Sequence, residues 1–288
     1  MNMILITGAT GHLGGLVVDF LLKRRHAAGI SVMARDPGRA KELHVAIRPG
    51  DYNEYGSLLT AFKGVDQLYF ISASDVTRRE LQHMNVVKAA AEAGVRHVIY
   101  TSFQRKKDNP DSPIAFVTKA HIDTEAAIIN AGFLYTILRH NLYLDYVPIY
   151  IGEHVIERGV IYQPAGKGKV AYAARNDMAE AGVNVLTSPG HENKTYDFSN
   201  TRSWSYSDIA KILTEVSGKK ITHVSPTAAE FKTSMLHEGL PDEVVDSAAA
   251  FALAIKAGEF DTPGTELEKL LGHAPVSAEE YLRGVYGK

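Results

Sequence analysis

The chain has 288 residues, of which 45% are hydrophobic and 22% are charged, and this length suffices for a large buried core in one or two domains. The formal net charge of −2 gives no general attraction to nucleic acid or to an anionic membrane, so we expect neither as a partner. The sequence contains no cysteine, which excludes disulfides, thiolate nucleophiles and cysteine-ligated metals. No apolar run approaches the roughly 20 residues that cross a bilayer, and no secretory signal is recognisable. The cytoplasm is therefore the expected compartment.

Short apolar runs alternate with stretches of helical periodicity over the first part of the chain. Between the runs, apolar residues recur at helical spacing, as at Leu13, Leu16 and Val17. This alternation predicts βαβ units and hence an α/β fold, a doubly wound parallel sheet with helices on both faces. The apolar runs predict strands at Met3–Thr7, Ile30–Ala34, Val45–Arg48, Gln67–Ser72, Val95–Thr101 and Leu134–Arg139.

The regularity weakens in the later half of the chain. Residues 159–174 predict two short strands around a Gly-rich turn. A helix is predicted where Ser205 and Asp208 have the spacing of a capping box and Gly218 has the position of a C-cap.

These patterns divide the chain into two predicted domains. Residues 1–145 form the domain with the parallel sheet. Residues 146–288 form a smaller, mainly helical substrate region, interleaved with the end of the sheet. We expect this region to pack over the carboxyl ends of the strands, where open α/β sheets bind their ligands.

Three glycines follow the first predicted strand in the segment ITGATGHLGG. In a strand–loop–helix unit, a glycine at Gly8 permits the tight turn, one at Gly11 lets a pyrophosphate approach the backbone, and one at Gly14 lets the helix pack closely on the strand. The helix N-terminus then offers free N–H groups and a positive dipole end to phosphates. The segment predicts a dinucleotide-binding site of the Rossmann type; the alternative is a glycine-rich turn without a ligand.

The end of the second predicted strand indicates which dinucleotide binds. An acidic residue there usually binds the ribose hydroxyls of NAD, but this strand ends in Arg35, whose guanidinium offers a planar fork to a 2′-phosphate. The next residue, Asp36, is explained as the N-cap of a helix that begins at Pro37. We therefore predict NADP (NADPH) as the cofactor, with NAD as the alternative.

Other strand ends supply further candidates. Asp51 follows the third predicted strand and either accepts from the adenine amino group or serves as a turn residue. Ser72 and Ala73 end the fourth strand, where small side chains admit the ribose and pyrophosphate. Solvated or capping roles suffice for other histidines, and neither metal-ligand spacing nor a hydrolase motif appears, so we expect no metal site. These histidines are His83, His97, His191 and His273.

Several longer segments together resemble one known family. They are ITGATGHLGG, ARDPGRA, GDYN, LYFISAS, QHMNVVKAAAEAGVRHVIYTS, HIDTE, YTILRHNLYLDY and GHENKTYDFSN with WSYSDIAKILTEVSGKK, and they extend over essentially the whole chain. With them the chain resembles the NmrA-like atypical short-chain dehydrogenase/reductases, in particular the type 2 NAD(P)H:quinone oxidoreductases and the triphenylmethane reductases.

This resemblance implies hydride transfer from NADPH to a small aromatic acceptor such as a quinone or a triphenylmethane dye. The charged stretch RKKDNPD departs from the family pattern, which leaves the rim of the substrate site undefined. The positions at which the resemblance implies contacts with NADP are Gly8, Thr10, Gly11, His12, Leu13, Arg35, Ser72, Ser102, Phe103, His140, Asn141 and Arg175.

The usual proton donor of short-chain dehydrogenases is missing. None of the 14 tyrosines has a lysine four residues later, so the Tyr-x-x-x-Lys pair is absent. The resemblance to isoflavone-reductase-like enzymes places their helix-borne lysine at the position of His121, which is therefore the candidate catalytic residue. An imidazole can transfer a proton near pH 7. The alternative is that His121 lies on the helix surface or only holds the cofactor.

The aromatic residues Phe116, Tyr143 and Tyr146 have two explanations. They either pack in the core or line a flat apolar pocket for an aromatic acceptor, and we treat them as candidate substrate contacts. A cationic dye accepts hydride without a proton, whereas a quinone also needs protonation. The missing Tyr-x-x-x-Lys pair fits equally well a non-enzymatic, NADP-binding redox sensor of the NmrA type that acts through protein partners. The sequence leaves open whether the chain forms a homodimer.

Overall fold

The computed structural model describes residues 2–24 and 27–287 of the chain. The strands are β1 (Ile4–Ile6), β2 (Ile30–Ala34), β3 (Ala46–Pro49), β4 (Gln67–Ile71), β5 (His97–Phe103), β6 (Leu134–His140), β7 (Val160–Tyr162), β8 (Lys169–Val170), β9 (Lys194–Phe198), β10 (Trp204–Ser205) and β11 (Thr222–Val224). The α-helices are α1 (His12–Leu22), α2 (Tyr55–Phe62), α3 (Arg79–Glu92), α4 (Ala115–Asn130), α5 (Val147–Ile151), α6 (Val155–Arg158), α7 (Arg175–Thr187), α8 (Tyr206–Ser217), α9 (Ala228–His237), α10 (Asp242–Lys256), α11 (Glu266–Leu271) and α12 (Ala278–Tyr286).

The chain divides into two compact units, each built from several segments. The first unit contains Met1–Phe103, Phe116–His140 and Arg175–Asp197, and the second contains Gln104–Ala115, Asn141–Ala174 and Phe198–Lys288. This differs from a single boundary at residue 145. After leaving the first unit, the chain returns to it to form α7, which packs against α1, and β9, which adjoins β6 in the sheet.

A seven-stranded sheet with the order β3-β2-β1-β4-β5-β6-β9 forms the centre of the first unit. The pairings that join β1 through β6 are all parallel. The six strands predicted in this part of the chain are confirmed, with ends that shift by no more than two residues. The residues of β1 and β2 are buried throughout because helices cover both faces, as a doubly wound sheet requires, whereas the edge strand β3 is exposed at both ends.

The two faces of the sheet pack against different helices. On one face, Phe70 of β4 and Tyr100 of β5 join a core cluster with Phe62 of α2 and Val86 of α3. On the other face, Tyr69 points toward α7, where a Cβ on Gly182 would lie 2.1 Å from its hydroxyl oxygen. Neighbouring residues of one strand therefore serve opposite layers, which follows from the two-residue period of a strand.

The strand order reverses between β1 and β4. Hydrogen bonds connect the carboxyl ends of these two strands. The Thr7 hydroxyl accepts from the N–H of Ile71 at 3.1 Å, which connects the residue after β1 to the last residue of β4. Tyr52 adds a hydrogen bond from its hydroxyl to the Ile71 carbonyl at 2.8 Å. Ligands of open α/β sheets bind beyond such a switch point, so its two strand ends are held in place where a ligand is expected.

The second unit is mainly helical, and its short strands pair differently from the sequence pattern. The strands predicted within residues 159–174 exist, but β7 pairs in parallel with β11 and β8 pairs antiparallel with β10. The predicted capping box of α8 is confirmed: Ser205 and Asp208 exchange side-chain to backbone hydrogen bonds, and Gly218 ends the helix in the left-handed conformation.

Candidate active site

The glycine loop between β1 and α1 has the geometry of a phosphate cradle. Gly8 has φ of +63°, which favours glycine, and its carbonyl accepts from the Gly11 N–H at 3.0 Å. The first intrahelical bond runs from Gly15 to the Gly11 carbonyl. The N–H groups of the first turn therefore have no intrahelical acceptor and lie at the positive end of the helix dipole. Thr10, Gly11 and His12 are exposed on this loop.

The glycines of the loop differ in the space around them. A Cβ at Gly14 would lie 2.2 Å from the Gly8 carbonyl oxygen and 2.7 Å from the Cα of Ala9, so helix and strand pack here without room for a side chain. A Cβ at Gly11 would meet the Gly8 carbonyl oxygen at 3.3 Å, a contact that a small shift relieves. Gly14 is thus required by packing, while Gly11 leaves an open backbone surface. Leu13, between them, is buried.

Arg35 lies exposed at the end of β2, beside the turn into a short 3₁₀ helix. Asp36 accepts from the Gly38 N–H at 2.8 Å as the N-cap of that helix, and Pro37 occupies its first turn. The capping interpretation of Asp36 is confirmed. A carboxylate engaged in capping is a poor ribose ligand, and this leaves the guanidinium of Arg35 as the charged group at this strand end.

The ends of β3 and β4 are ordered by local hydrogen bonds. One carboxylate oxygen of Asp51 accepts from the backbone and side-chain amides of Asn53, both at 2.9 Å. This is the turn role that the sequence left open for Asp51, and its contact with adenine stays a prediction. The Ser72 N–H donates to the Thr101 hydroxyl at 3.0 Å, so Ser72 is held at the carboxyl end of β4 beside β5.

An ion pair between a buried carboxylate and a partly exposed arginine anchors the end of β5. Glu125 of α4 is 5% exposed and accepts two hydrogen bonds from Arg139 of β6, at 3.0 and 2.6 Å. The Ser102 hydroxyl donates to the same carboxylate at 2.5 Å. Because the carboxylate is held by a two-pronged guanidinium contact, its charge is compensated inside the unit. The orientation of the Ser102 hydroxyl is thus fixed by Glu125. Its contact with the cofactor stays a prediction.

His121 is buried among aromatic groups rather than exposed on the helix surface. It is 4% exposed, its Nδ1 lies 2.8 Å from the Tyr100 hydroxyl, and its ring stacks on Phe103 with centroids 5.8 Å apart. The interpretation of His121 as a surface residue is therefore wrong, because α4 turns this side of the helix toward β5. Phe103 and His121, two residues selected from the sequence, are brought together at the carboxyl end of the sheet.

His83 is a buried residue of this site that the sequence analysis assigned to a solvated or capping role. That assignment is wrong: His83 is 0% exposed, its Nε2 accepts from the Ala73 N–H at 2.9 Å, and its Nδ1 lies 2.9 Å from the Thr124 hydroxyl. Burial, with a smaller contribution from the positive charge of Arg79, lowers the pKa of His83 from 6.5 to about 3. The helical spacing of His83 with Val86 and Ala90 was the available signal, since it places His83 on the apolar face of α3.

Two hydrogen bonds hold the backbone of Ala73, which lies in the loop after β4. The Ala73 N–H donates to His83, and the Ala73 carbonyl accepts from the Arg79 guanidinium at 2.7 Å. Both partners belong to α3. The backbone beside Ser72 is therefore held by two buried side chains of α3. Ala73, which is predicted to contact the cofactor, is the residue that they hold.

Other candidate residues are distributed between the two units. In the first unit, Phe116 is 48% exposed, Arg175 begins α7 and is nearly buried, and His140 ends β6. Burial lowers the pKa of His140 to about 3. In the second unit, Tyr143 and Tyr146 have tilted rings with centroids 5.8 Å apart. Their predicted contacts with cofactor or substrate stay predictions.

The side chain of Asn141 makes its hydrogen bonds within the second unit. Its amide nitrogen lies 2.7 Å from the Gln104 side-chain oxygen, 3.0 Å from the Thr262 hydroxyl and 3.2 Å from the Phe260 carbonyl. Its oxygen accepts from the N–H of Leu142 at 2.7 Å. This network occupies the amide, so any contact with cofactor would have to share these partners.

Across residues 2–24 and 27–287, no helix combines the length and the apolar character needed to pass through a membrane. Among the same residues, no group of three or more histidine, cysteine or acidic side chains has an arrangement that could hold a metal ion.

The residues present fit a dinucleotide phosphate. The Gly11 backbone surface is one that a side chain would fill, the first turn of α1 directs N–H groups to it, and Arg35 is exposed at the end of the neighbouring strand. A pyrophosphate at a helix N-terminus and a 2′-phosphate near an arginine use these groups directly. The first unit thus has the groups that a dinucleotide phosphate needs, and the buried histidines His83 and His121 belong to the same unit.

Comparison with known proteins places the chain in a family. The model of the NmrA-like family matches residues 1–282, and the chain belongs to that family. Quinone oxidoreductase 2 of Escherichia coli is 36% identical over 96% of both chains. The crystal structure of the E. coli NADPH-dependent quinone oxidoreductase QOR2 with NADPH superposes with a TM-score of 0.93, at 34% identity, over 99% of this chain and 100% of that one. Triphenylmethane reductase of Citrobacter sp. has a TM-score of 0.91 at 38% identity over 99% of both chains.

Proposed function

We propose that this protein is an NADPH-dependent reductase that transfers hydride to an aromatic acceptor of the quinone or triphenylmethane dye class. The observation that carries the proposal is the His121–Tyr100–Phe103 cluster at the carboxyl end of a sheet whose glycine loop and Arg35 fit NADPH. The names of the relatives support it: they are a quinone oxidoreductase, a triphenylmethane reductase and, at 28% identity, an NAD(P)H azoreductase of Xenophilus azovorans. All three names denote reduction of aromatic compounds.

The protein's own groups bind and position, while the bound cofactor supplies the hydride. The first turn of α1 holds the pyrophosphate, and Arg35 binds the 2′-phosphate. Ser72, Ala73, Ser102 and Phe103 border the space for the nicotinamide half. His121 provides a polar hydrogen at the acceptor, where a quinone oxygen gains negative charge as hydride arrives.

The two acceptor classes make different demands on His121. A quinone takes up a hydride and a proton to become a hydroquinone, so a donor near its oxygen lowers the barrier. A cationic triarylmethane dye takes up hydride at carbon and becomes neutral, and no oxyanion forms. The cytoplasm is the compartment we assign to this reaction.

The proposal is tested by NADPH oxidation with a panel of quinones and triarylmethane dyes. With 4-deuterated NADPH we expect a primary isotope effect for both acceptors. His121→Ala should lower the quinone kcat by roughly 10²-fold, the usual scale of help from a positioned donor, and should change dye turnover little. An equal, large loss with both acceptors would make His121 a cofactor-positioning residue. Tight NADPH binding without turnover of any acceptor would contradict the reductase and favour a regulator.

A further inference from the structure

Side chains hold the backbone where β4 ends and its loop begins. Ile71 is the last residue of β4, and its N–H donates to the Thr7 hydroxyl at 3.1 Å. The N–H of Ser72 donates to the Thr101 hydroxyl of β5 at 3.0 Å. Ala73 follows the same pattern, so three consecutive peptide N–H groups bond to side chains. Together these three residues are called segment 71–73.

Both polar groups of the Ala73 backbone bond to one helix. The N–H donates to the Nε2 of His83 at 2.9 Å, and the carbonyl accepts from the Nε of Arg79 at 2.7 Å. Residues four apart lie on the same face of a helix, so both side chains reach Ala73 from α3. Arg79 is 8% exposed and His83 is 0% exposed. Because both are buried, water is not at hand to replace a lost partner.

The directions of these two bonds are fixed by the chemistry of the partners. A peptide N–H and a guanidinium can only donate, so the Nε2 of His83 accepts and carries no hydrogen. The ring of His83 is also held on its other side. Its Nδ1 lies 2.9 Å from the Thr124 hydroxyl of α4, and it meets Phe70 of β4 edge-on with centroids 5.0 Å apart. The acceptor for Ala73 is therefore tied to α3, α4 and the sheet.

Segment 71–73 lies directly beside the glycine loop. A Cβ at Gly8 would lie 3.1 Å from the Cβ of Ile71 and 3.2 Å from its Cγ2, so the tight turn of the loop is in contact with the end of β4. A displacement of the backbone after Ile71 would therefore change the border of the space that receives the pyrophosphate. In the proposed function, Ser72 and Ala73 continue this border along the nicotinamide half.

We propose that His83 and Arg79 are positioning residues for NADPH, which fix the backbone of Ala73 and thereby the border of the nicotinamide half without touching the cofactor themselves. This inference rests on the proposed function, from which it takes the cofactor. A side chain that only stabilised the fold would weaken the binding of every ligand alike. A positioning role instead predicts a selective loss for the part of NADPH beside Ala73, and recovery with a side chain that keeps the acceptor.

The test compares two ligands that share the adenosine half. NADPH extends along Ala73, whereas adenosine 2′,5′-bisphosphate keeps the 2′-phosphate for Arg35 but lacks the nicotinamide half. Calorimetry gives both dissociation constants for the wild type and for His83→Leu, which keeps an apolar side chain of similar volume and removes the acceptor. We expect NADPH to bind roughly 10-fold more weakly to the variant, the scale of one hydrogen bond. The bisphosphate should bind within ~2-fold of wild type.

Two further variants separate the hydrogen bonds from the bulk of the side chains. In His83→Gln the amide oxygen can take the place of Nε2, so NADPH affinity should stay within ~3-fold of wild type. Arg79→Met keeps a long stem but removes the donor to the Ala73 carbonyl, and it should show the same selective loss as His83→Leu. Because it acts on the other bond of Ala73, it also decides the proposal if His83→Leu does not fold.

The matched control is His97→Leu. His97 is another buried histidine of the first unit, 7% exposed, and its Nε2 lies 2.9 Å from the Thr136 hydroxyl. It is the first residue of β5 and so lies at the amino end of the strand, opposite to the end that His83 supports. The control loses a buried histidine and its hydrogen bond, as His83→Leu does. It should lower Tm and leave both dissociation constants unchanged.

Several results would overturn the positioning role. They are wild-type NADPH affinity in folded His83→Leu or Arg79→Met, equal losses for both ligands, no recovery in His83→Gln, or the same NADPH loss in His97→Leu. These measurements need no turnover. If the wild type binds NADPH but reduces no acceptor, the reductase proposal fails while the binding comparison still decides the roles of His83 and Arg79. A wild type that does not bind NADPH would contradict both proposals.

Discussion

Substitutions at Gly11 and Gly14 should separate cofactor binding from folding, although the two residues lie three positions apart. Gly11 has φ of −90° and ψ of 169°, an extended conformation open to any residue, and a Cβ there would meet the Gly8 carbonyl oxygen at 3.3 Å. A Cβ at Gly14 would lie 2.2 Å from that same oxygen and 2.7 Å from the Cα of Ala9. Backbone atoms cannot rotate away, so only Gly14→Ala forces α1 off β1.

The magnitudes follow from these distances. Overpacking of a well-filled site costs roughly 1–3 kcal/mol, and a chain of this size loses roughly 2–4 °C in Tm per kcal/mol, so Gly14→Ala should lower Tm by about 2–12 °C. Gly11→Val replaces glycine at an N-cap by a less favourable residue, which costs less than about 1 kcal/mol. Its side chain occupies the surface where the pyrophosphate approaches, and we expect NADPH affinity to fall at least ~100-fold, or ~2.7 kcal/mol.

Circular dichroism melting and titration of NADPH fluorescence measure the two effects on the same samples. Gly11→Ala serves as an intermediate variant, with a nearly native Tm and a partial loss of affinity. The expected pattern is a nearly native Tm with lost binding for Gly11→Val, and a lowered Tm for Gly14→Ala. Wild-type NADPH affinity in a well-folded Gly11→Val protein would show that the loop serves only the fold and would refute the reasoning.

Three further outcomes are expected. NADPH should bind at least ~10-fold more tightly than NADH, and Arg35→Ala should remove most of this difference in calorimetry, since a charge-assisted hydrogen bond contributes ~1.5–3 kcal/mol before solvent screening; equal wild-type affinities would contradict this. Because the pKa of His140 is about 3 in the folded protein and ~6.5 when unfolded, its contribution to stability is complete above pH ~6.5. That contribution falls toward pH 3 by up to ~1.4 kcal/mol per pH unit, so urea unfolding of His140→Gln should show a shallower acid slope than wild type. Ser205→Ala should cost ~1 kcal/mol of stability through the lost cap of α8, while Ser207→Ala, in the first turn of the same helix, should cost less.

The local part of the fold could be predicted because its signals are local. Apolar runs predict the strands from β1 to β6. The spacing of Ser205 and Asp208 predicts the cap of α8. The same holds for Asp36, whose capping role follows from the proline after it. By contrast, the pairing of β7 with β11 and of β8 with β10 joins residues far apart in sequence. No periodicity within residues 159–174 carries that information.

The candidate site divides in the same way. The glycine loop and Arg35 were accessible from sequence because each depends on its position within one strand–loop–helix unit. The position of His121 came from a family spacing, but its burial and its contact with Tyr100 depend on how α4 packs against β5. His83 was missed because a buried histidine is stable only with partners for both ring nitrogens, and these partners, the Ala73 N–H and Thr124, come from two other segments.

The sequence by itself determined the parallel sheet, the phosphate cradle at Gly8, Gly11 and Gly14, and the charge at Arg35, because these depend on residue type and short-range spacing. Only the tertiary structure decided that His83 is buried and neutral, and which groups hold its ring nitrogens. Burial removes water as the competing hydrogen-bond partner, and the partners that replace it reach His83, Tyr100 and His121 across α3, β5 and α4. These contacts are a property of the assembled layers, since each joins residues from different helices and strands.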